Sequence, residues 1–205
     1  MATRKALLSF CGVAVFVALL VLFSYRAVYG AYTEFAFDMP PGSLERPLPL
    51  SFVENGITMN ASASSEYWRQ TDRFVFTGLS GGVLTNGLRL APYPPETLTL
   101  QFSIGLAQFN ADYAIASLFG GSNTLTLAAY FGTTFVGNTV RTGTDSGSIS
   151  FTSSALFDRI ELTSAAEVDF AVDNVKVNAV PLPGALLLMI PGLAGIMALK
   201  RRIRS

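Results

Sequence analysis

Between Ala31 and Ala179, apolar and polar residues alternate along short runs, the period of two that marks strands with one buried face. The pattern is clearest in Leu98-Thr-Leu-Gln-Phe-Ser-Ile104, where Leu98, Leu100, Phe102 and Ile104 are expected to share the buried side. In Phe157-Asp-Arg-Ile-Glu-Leu162, Ile160 and Leu162 fall in register. Such runs predict strands over Tyr32–Phe37, Ile57–Ala61, Arg73–Thr77, Gly87–Leu90, Thr97–Ile104, Tyr113–Leu118, Thr124–Phe131, Thr134–Arg141, Gly147–Thr152, Phe157–Thr163 and Val168–Val177. Thr, Val, Phe and Tyr dominate them, as a pleated, half-buried surface favours. A recurrence of about ten residues suits a sandwich or barrel rather than alternating strands and helices. Turns are expected at Asn55-Gly56, Gly81-Gly82, Asn86-Gly87, Gly120-Gly121, Gly137-Asn138 and Asp145-Ser146-Gly147, with a short helix at most over Ala107–Ala111. The expected fold class is all-β, a β-sandwich.

The two ends break this pattern. Ala6–Phe23 and Ala185–Leu199 are nearly unbroken apolar runs. Met1–Gly30 has the parts of a signal peptide: Arg4 and Lys5, the apolar run, and Val28-Tyr29-Gly30 ahead of a cleavage point between Gly30 and Ala31. These imply the secretion translocon and signal peptidase as partners. The run of about 18 residues is nearly long enough to span a bilayer, so an uncleaved signal anchor is the alternative.

At the other end, Pro181 and Pro183 remove N–H donors and hold an extended stub ahead of the apolar run. A helix of about 15 residues there is short for a bilayer of about 30 Å, and Pro191, Gly192 and Gly195 weaken it midway. Lys200, Arg201, Arg202 and Arg204 form a stop-transfer basic tail. The order of proline motif, short apolar helix and basic tail resembles the PEP-CTERM class of sorting signals. Val180-Pro181-Leu182-Pro183-Gly184 resembles its VPLPA-type variant, with Gly184 where that variant usually carries Ala. The resemblance implies handling by an exosortase-like enzyme in a bacterium that makes exopolysaccharide. The expected organisation is therefore 1–30 signal peptide or signal anchor, 31–179 extracytoplasmic domain, and 180–205 sorting signal with a transmembrane helix. The expected address is the cell envelope, cell surface or extracellular matrix, after anchoring in the membrane during transit.

Charge sharpens that reading. All 14 acidic residues lie between Glu34 and Asp173. Against them stand seven bases (Arg46, Arg69, Arg73, Arg89, Arg141, Arg159 and Lys176), leaving the middle at net −7 while the ends are basic. Basic residues flanking apolar spans stay on the cytoplasmic side, so the middle is expected outside. An acidic middle excludes a nucleic-acid role, which needs a basic surface.

A second resemblance involves the last strands. Phe157-Asp-Arg-Ile-Glu-Leu-Thr-Ser164 and Asp169-Phe-Ala-Val-Asp-Asn-Val-Lys-Val177 resemble the ending common in exported domains that precede such tails. Those domains are taken to be jelly-roll sandwiches similar to carbohydrate-binding modules, which implies that architecture here.

Candidate chemistry is sparse. The chain has no histidine and one cysteine, Cys11, inside the first apolar run. This removes His-dependent triads, His metal sites and, from the middle, any thiol nucleophile. Paired carboxylates among Asp158, Glu161, Asp169 and Asp173 are the remaining device for a glycoside hydrolase, with solvated acids as the ordinary alternative. Asp169, Asp173 and Asn174 offer hard oxygen ligands for calcium, against the ordinary role of Asx side chains in bonding nearby backbone. Tyr67 and Trp68 are the candidate glycan contact, with Trp68 in the core as the competing reading. Asn60-Ala-Ser62 matches a glycosylation sequon. No cofactor is expected beyond that calcium. The leading expectation is a non-catalytic structural or adhesive sandwich in contact with exopolysaccharide. A calcium-assisted lectin-like module and, remotely, a carboxylate hydrolase are the alternatives.

Overall fold

The computed structural model describes residues 32–40, 43–72, 76–87, 94–117, 124–143, 146–166 and 168–179. The signal expected at Met1–Gly30, its cleavage point at Gly30 and Ala31, and the sorting segment Val180–Ser205 lie outside the described residues.

Among the described residues there are eleven strands and no helix: β1 (Thr33–Phe35), β2 (Arg46–Pro47), β3 (Leu50–Glu54), β4 (Ile57–Ala63), β5 (Arg69–Thr71), β6 (Val83–Thr85), β7 (Thr97–Ser117), β8 (Thr124–Phe131), β9 (Thr134–Thr142), β10 (Ser146–Ser164) and β11 (Val168–Ala179). No helix in this part is long and apolar enough to cross a membrane. Every pairing is antiparallel.

Two long strands hold two layers together. The first halves of β7 and β10 in space differ from their second halves because each changes partner. β7 pairs with β4 through residues 98–102 and with β11 from Leu106 onward, while β10 runs along its other edge throughout. One layer is β3-β4-β7-β10-β8-β9, using the start of β7 and the end of β10. The other is β2-β5-β6-β11-β7-β10, using the end of β7 and the start of β10, with β1 on the edge of β11. The side chains record the corner. The core-cluster residues of β7 are Leu98, Leu100, Phe102 and Leu106, then Phe109, Ala111, Tyr113 and Ile115; those of β10 are Ile149 and Phe157, then Ile160 and Leu162. A change from even to odd positions, or the reverse, requires an extra residue, and register shifts occur at both places. At Gly105 a Cβ would lie 3.1 Å from Leu156 Cδ1, so the corner is tightly filled.

The inward residues of both layers form one cluster, which makes the architecture a sandwich. Trp68 and Phe170 meet edge to face at 4.8 Å near its middle. β11 is buried on both faces over Val168–Asp173, because Phe76, Val83, Ala114 and Ala171 form a second cluster on the far side.

Several expectations are corrected. Ala107–Ala111 is not helical; it lies within β7, where ladders on both edges override a weak local preference. Gly137-Asn138 is not a turn but part of β9, and a Cβ on Gly137 would lie 2.9 Å from the Phe151 ring. Thr97–Ile104 and Tyr113–Leu118 join into one strand as far as Ser117, and Gly147–Thr152 joins Phe157–Thr163. Phe76, Thr77 and Gly87 lie outside strands. The Asn55-Gly56 turn does link β3 to β4, with φ of 50° and 78°, the left-handed pair a two-residue hairpin needs.

Candidate functional site

Alternation makes one outer face wholly distinct from the core. In the layer containing β8 the residues between the buried ones point outward: Tyr130 on β8, Arg159 and Glu161 on β10, Thr99 and Gln101 on β7, and Asn60 on β4. The register aligns them. Phe135 pairs with Tyr130, Tyr130 with Arg159, Arg159 with Gln101, Gln101 with Asn60, and Asn60 with Ser51. At about 4.8 Å between strands, this row of six side chains runs roughly 24 Å across the sheet.

Contacts within the row fix its members. The Arg159 guanidinium sits over the Tyr130 ring, 4.4 Å from its centroid. Its Nε lies 3.4 Å from Glu161 Oε1, two residues along the same face. Phe135 meets Tyr130 edge to face at 5.6 Å and is 55% exposed, so the aromatic end of the row is open to solvent. Gln101 Nε2 donates to the Asp158 carbonyl at 3.0 Å. Partial burial and the Glu161 carboxylate, which accepts its hydroxyl, hold the Tyr130 phenol above its ordinary value, with the Arg159 cation acting the other way. The hydroxyl therefore stays a donor. An open aromatic pair followed by a guanidinium, a carboxylate and two amides offers a stacking surface beside donors and acceptors of both kinds.

The sequence candidates are distributed differently. Trp68 is fully buried, and its Nε1 donates to Glu96 Oε2 at 2.7 Å, so it is no glycan contact. Its ring packs in the core against Phe170, with the indole N–H satisfied. Tyr67 is 46% exposed and precedes β5, a strand that contributes nothing to the row. Asp169 and Asp173 are both buried on β11, and four strand residues place them about 13 Å apart, too far to share one ion. Asp173 Oδ1 accepts the Asn174 N–H at 2.7 Å, and Asn174 Nδ2 donates to Asp112 at 3.1 Å, the local bonding typical of Asx residues. Asn174 has φ of 48° and forms a bulge in β11. Among the described residues no group of three or more acids is arranged to hold a metal. Burial raises the Asp173 carboxyl to about 6, reinforced by Asp38 and Asp112 and opposed by N–H groups of Asn174 and Phe37. Asp158 caps the turn after β8 by accepting the Gly132 N–H at 2.9 Å, and Glu161 serves the row. Val180, Pro181, Leu182, Pro183, Gly184, Lys200, Arg201, Arg202 and Arg204 lie outside the described residues.

Tyr130, Phe135, Arg159 and Gln101 went unnoticed in the sequence. The available signal was phase: Tyr130 and Arg159 occupy polar positions of runs whose alternate members are Leu, Ala and Ile.

No family model matches the chain, and no curated protein does. Solved structures similar to it include the K2 cleaved adhesin domain of Lys-gingipain, at 11% identity and a TM-score of 0.43 over 72% of this chain and 99% of that one. A carbohydrate-binding module described for specific mannan recognition is 13% identical, with a TM-score of 0.41 over 72% of this chain and 98% of that one. A family 32 carbohydrate-binding module from C. perfringens, in complex with galactose, is 14% identical, with a TM-score of 0.38 over 65% and 98%. The described part of the chain is thus an all-β antiparallel domain with carbohydrate-binding modules among its structural neighbours, and at these scores no ligand or residue role passes from them to it.

Proposed function

We propose that this is a non-catalytic glycan-binding sandwich, jelly-roll-like in plan, exported to the envelope or exopolysaccharide matrix, where holding polysaccharide gives it an adhesive role. The row Phe135–Tyr130–Arg159–Gln101–Asn60–Ser51 carries this reading. Its length suits several sugar units in line, with ring faces on Tyr130 and Phe135 and hydroxyls on the guanidinium, carboxylate and amides. The signal at Met1–Gly30 and the motif Val180–Gly184 support export, retention and release by an exosortase-like enzyme.

Affinity electrophoresis of the full chain through gels containing neutral polysaccharides tests the binding. Retardation that disappears in the Tyr130→Ala, Phe135→Ala double variant, with its thermal unfolding retained, is the expected result. Unchanged retardation in that variant removes the row from consideration, and appearance of new reducing ends contradicts a non-catalytic role. Intact-mass analysis of the mature protein tests the sorting: a species ending within Val180–Gly184 is expected, and an intact Ser205 terminus counts against processing.

A further inference from the structure

The layer that carries the row ends on β9, whose one strand partner among the described residues is β8. A free edge presents unpaired N–H and C=O groups to any other chain, and folded proteins blunt such edges with short length, proline or charge. The other ends of the two layers follow this rule. β2 is two residues long and contains Pro47, and β3 is five residues long and closes on Glu54. The first half of β10 turns Ser148, Ser150 and Thr152 outward and packs its large apolar side chains, Ile149 and Phe151, against the core.

β9 departs from it. The strand is nine residues long, Thr-Phe-Val-Gly-Asn-Thr-Val-Arg-Thr, with no proline, lysine or acid and with Arg141 as its one charge. Its register shift falls beside Val136, near the turn, so Gly137–Thr142 runs regularly along β8. Phe131 at the end of β8, and Phe135 and Val140 on β9, are all exposed. A long, regular, nearly uncharged edge rich in Thr, Val and Phe is a template for strand addition.

Charge selects the occupant. Ala31–Ala179 has a net charge of −7, yet no acid occurs between Asp112 and Asp145. The acids of adjoining β10 are engaged, Glu161 by Arg159 and Asp158 by the Gly132 N–H. Two copies of an acidic domain repel each other over most of their surface and least along this hairpin. A strongly charged partner finds no counterpart on it. Antiparallel pairing also keeps the two Arg141 side chains apart. With Asn138 at the centre, each Arg141 lies three residues from it, on opposite sides. That places the two cations about 20 Å apart, a separation that salt screens.

We infer that β9 pairs antiparallel with β9 of a second copy about a two-fold axis, joining two six-stranded layers into one sheet. The contact is isologous and made by main-chain hydrogen bonds, and Val140 gains a cross-strand neighbour in it. The outer face stays open, so two copies of the row lie on one continuous surface. That use rests on the glycan-binding reading; the pairing does not.

Sedimentation equilibrium of the full chain in mild detergent tests the pairing, with cysteine cross-linking to locate it. A monomer–dimer equilibrium is expected. The Asn138→Lys, Val140→Lys double variant should weaken it roughly tenfold or more, since like charges then face each other across the joint. Both side chains are exposed, so the melting temperature should hold. A two-fold brings one position of β9 opposite itself. In a Cys11→Ser background, at least one of the single variants Asn138→Cys, Thr139→Cys and Val140→Cys should therefore form a disulfide-linked dimer under mild oxidation. A monomer at every concentration overturns the inference. So does a dimer unchanged by the double lysine variant, as contact through the apolar ends would give, or a dimer that none of the three cysteines cross-links. No readout involves a glycan, so loss of pairing and loss of polysaccharide binding are seen separately.

Discussion

Arg159 sits over the Tyr130 ring, with its guanidinium carbon 4.4 Å from the ring centroid, and the two residues are direct cross-strand partners on β10 and β8. The same side chain faces Glu161, so it is held from two sides. Lysine at this place keeps the charge and loses the planar, delocalised guanidinium. Arg159→Lys should therefore weaken polysaccharide retardation several-fold and Arg159→Ala more than tenfold. Stability should change by less than about 1 kcal/mol, since the pair is partly solvated. Affinity electrophoresis read beside urea unfolding separates the two effects; a large stability loss with unchanged binding would assign Arg159 to the scaffold alone.

Trp68 gives the opposite expectation. It is buried against Phe170 and bonds the buried Glu96 carboxylate. Trp68→Ala should cost roughly 3–5 kcal/mol as a cavity forms. Trp68→Phe should cost about 1–3 kcal/mol, because the carboxylate loses a donor. Urea midpoints check both, and the folded fraction should bind glycan as before. Loss of binding at unchanged stability would restore Trp68 as a contact residue.

Asp173 predicts a pH dependence of unusual sign for a carboxylate. Its folded value of about 6 lies above the ordinary 3.8, so the native state binds this proton more tightly than the unfolded chain. The contribution is constant below the unfolded value and turns unfavourable as pH rises through the window between the two. A shift of that size corresponds to roughly 3 kcal/mol at most. Chemical denaturation between pH 4 and 7 should show this component falling with pH in the native protein and missing in Asp173→Asn. An identical pH profile in both proteins would refute it.

Two glycines separate close approach from backbone conformation. A Cβ on Gly82 would fall 1.9 Å from the Phe37 carbonyl oxygen, and the Gly82 N–H bonds Asp38 at 3.2 Å. Gly82→Ala should push residues 37 and 38 away from the sheet and cost more than about 2 kcal/mol. Gly56 has open space around it and φ of 78°, so Gly56→Ala should cost only about 1 kcal/mol. Thermal melts of the two variants give the ranking, and a larger loss at Gly56 would reverse the assignment.

The period of two by itself determined the strand class and the inward residues, because side chains alternate whatever lies opposite. Leu98, Leu100, Phe102, Ile160 and Leu162 are buried as their spacing predicts. The Asn55-Gly56 turn was equally legible, since its backbone conformation is set by two adjacent residues. Partner choice was not. Ala107–Ala111 reads as weakly helical until ladders form on both its edges, and β7 and β10 each read as two strands because the bulges that turn their corners shift the phase. The candidate sites followed the same division. Local sequence drew attention to Tyr67-Trp68 and to Asp169, Asp173 and Asn174, neighbours along the chain. The row from Phe135 to Ser51 joins residues from six strands, brought into line only by their pairing. A one-dimensional pattern reports which face a residue occupies; which other residues share that face is decided by register, and register is a property of the assembled sheet.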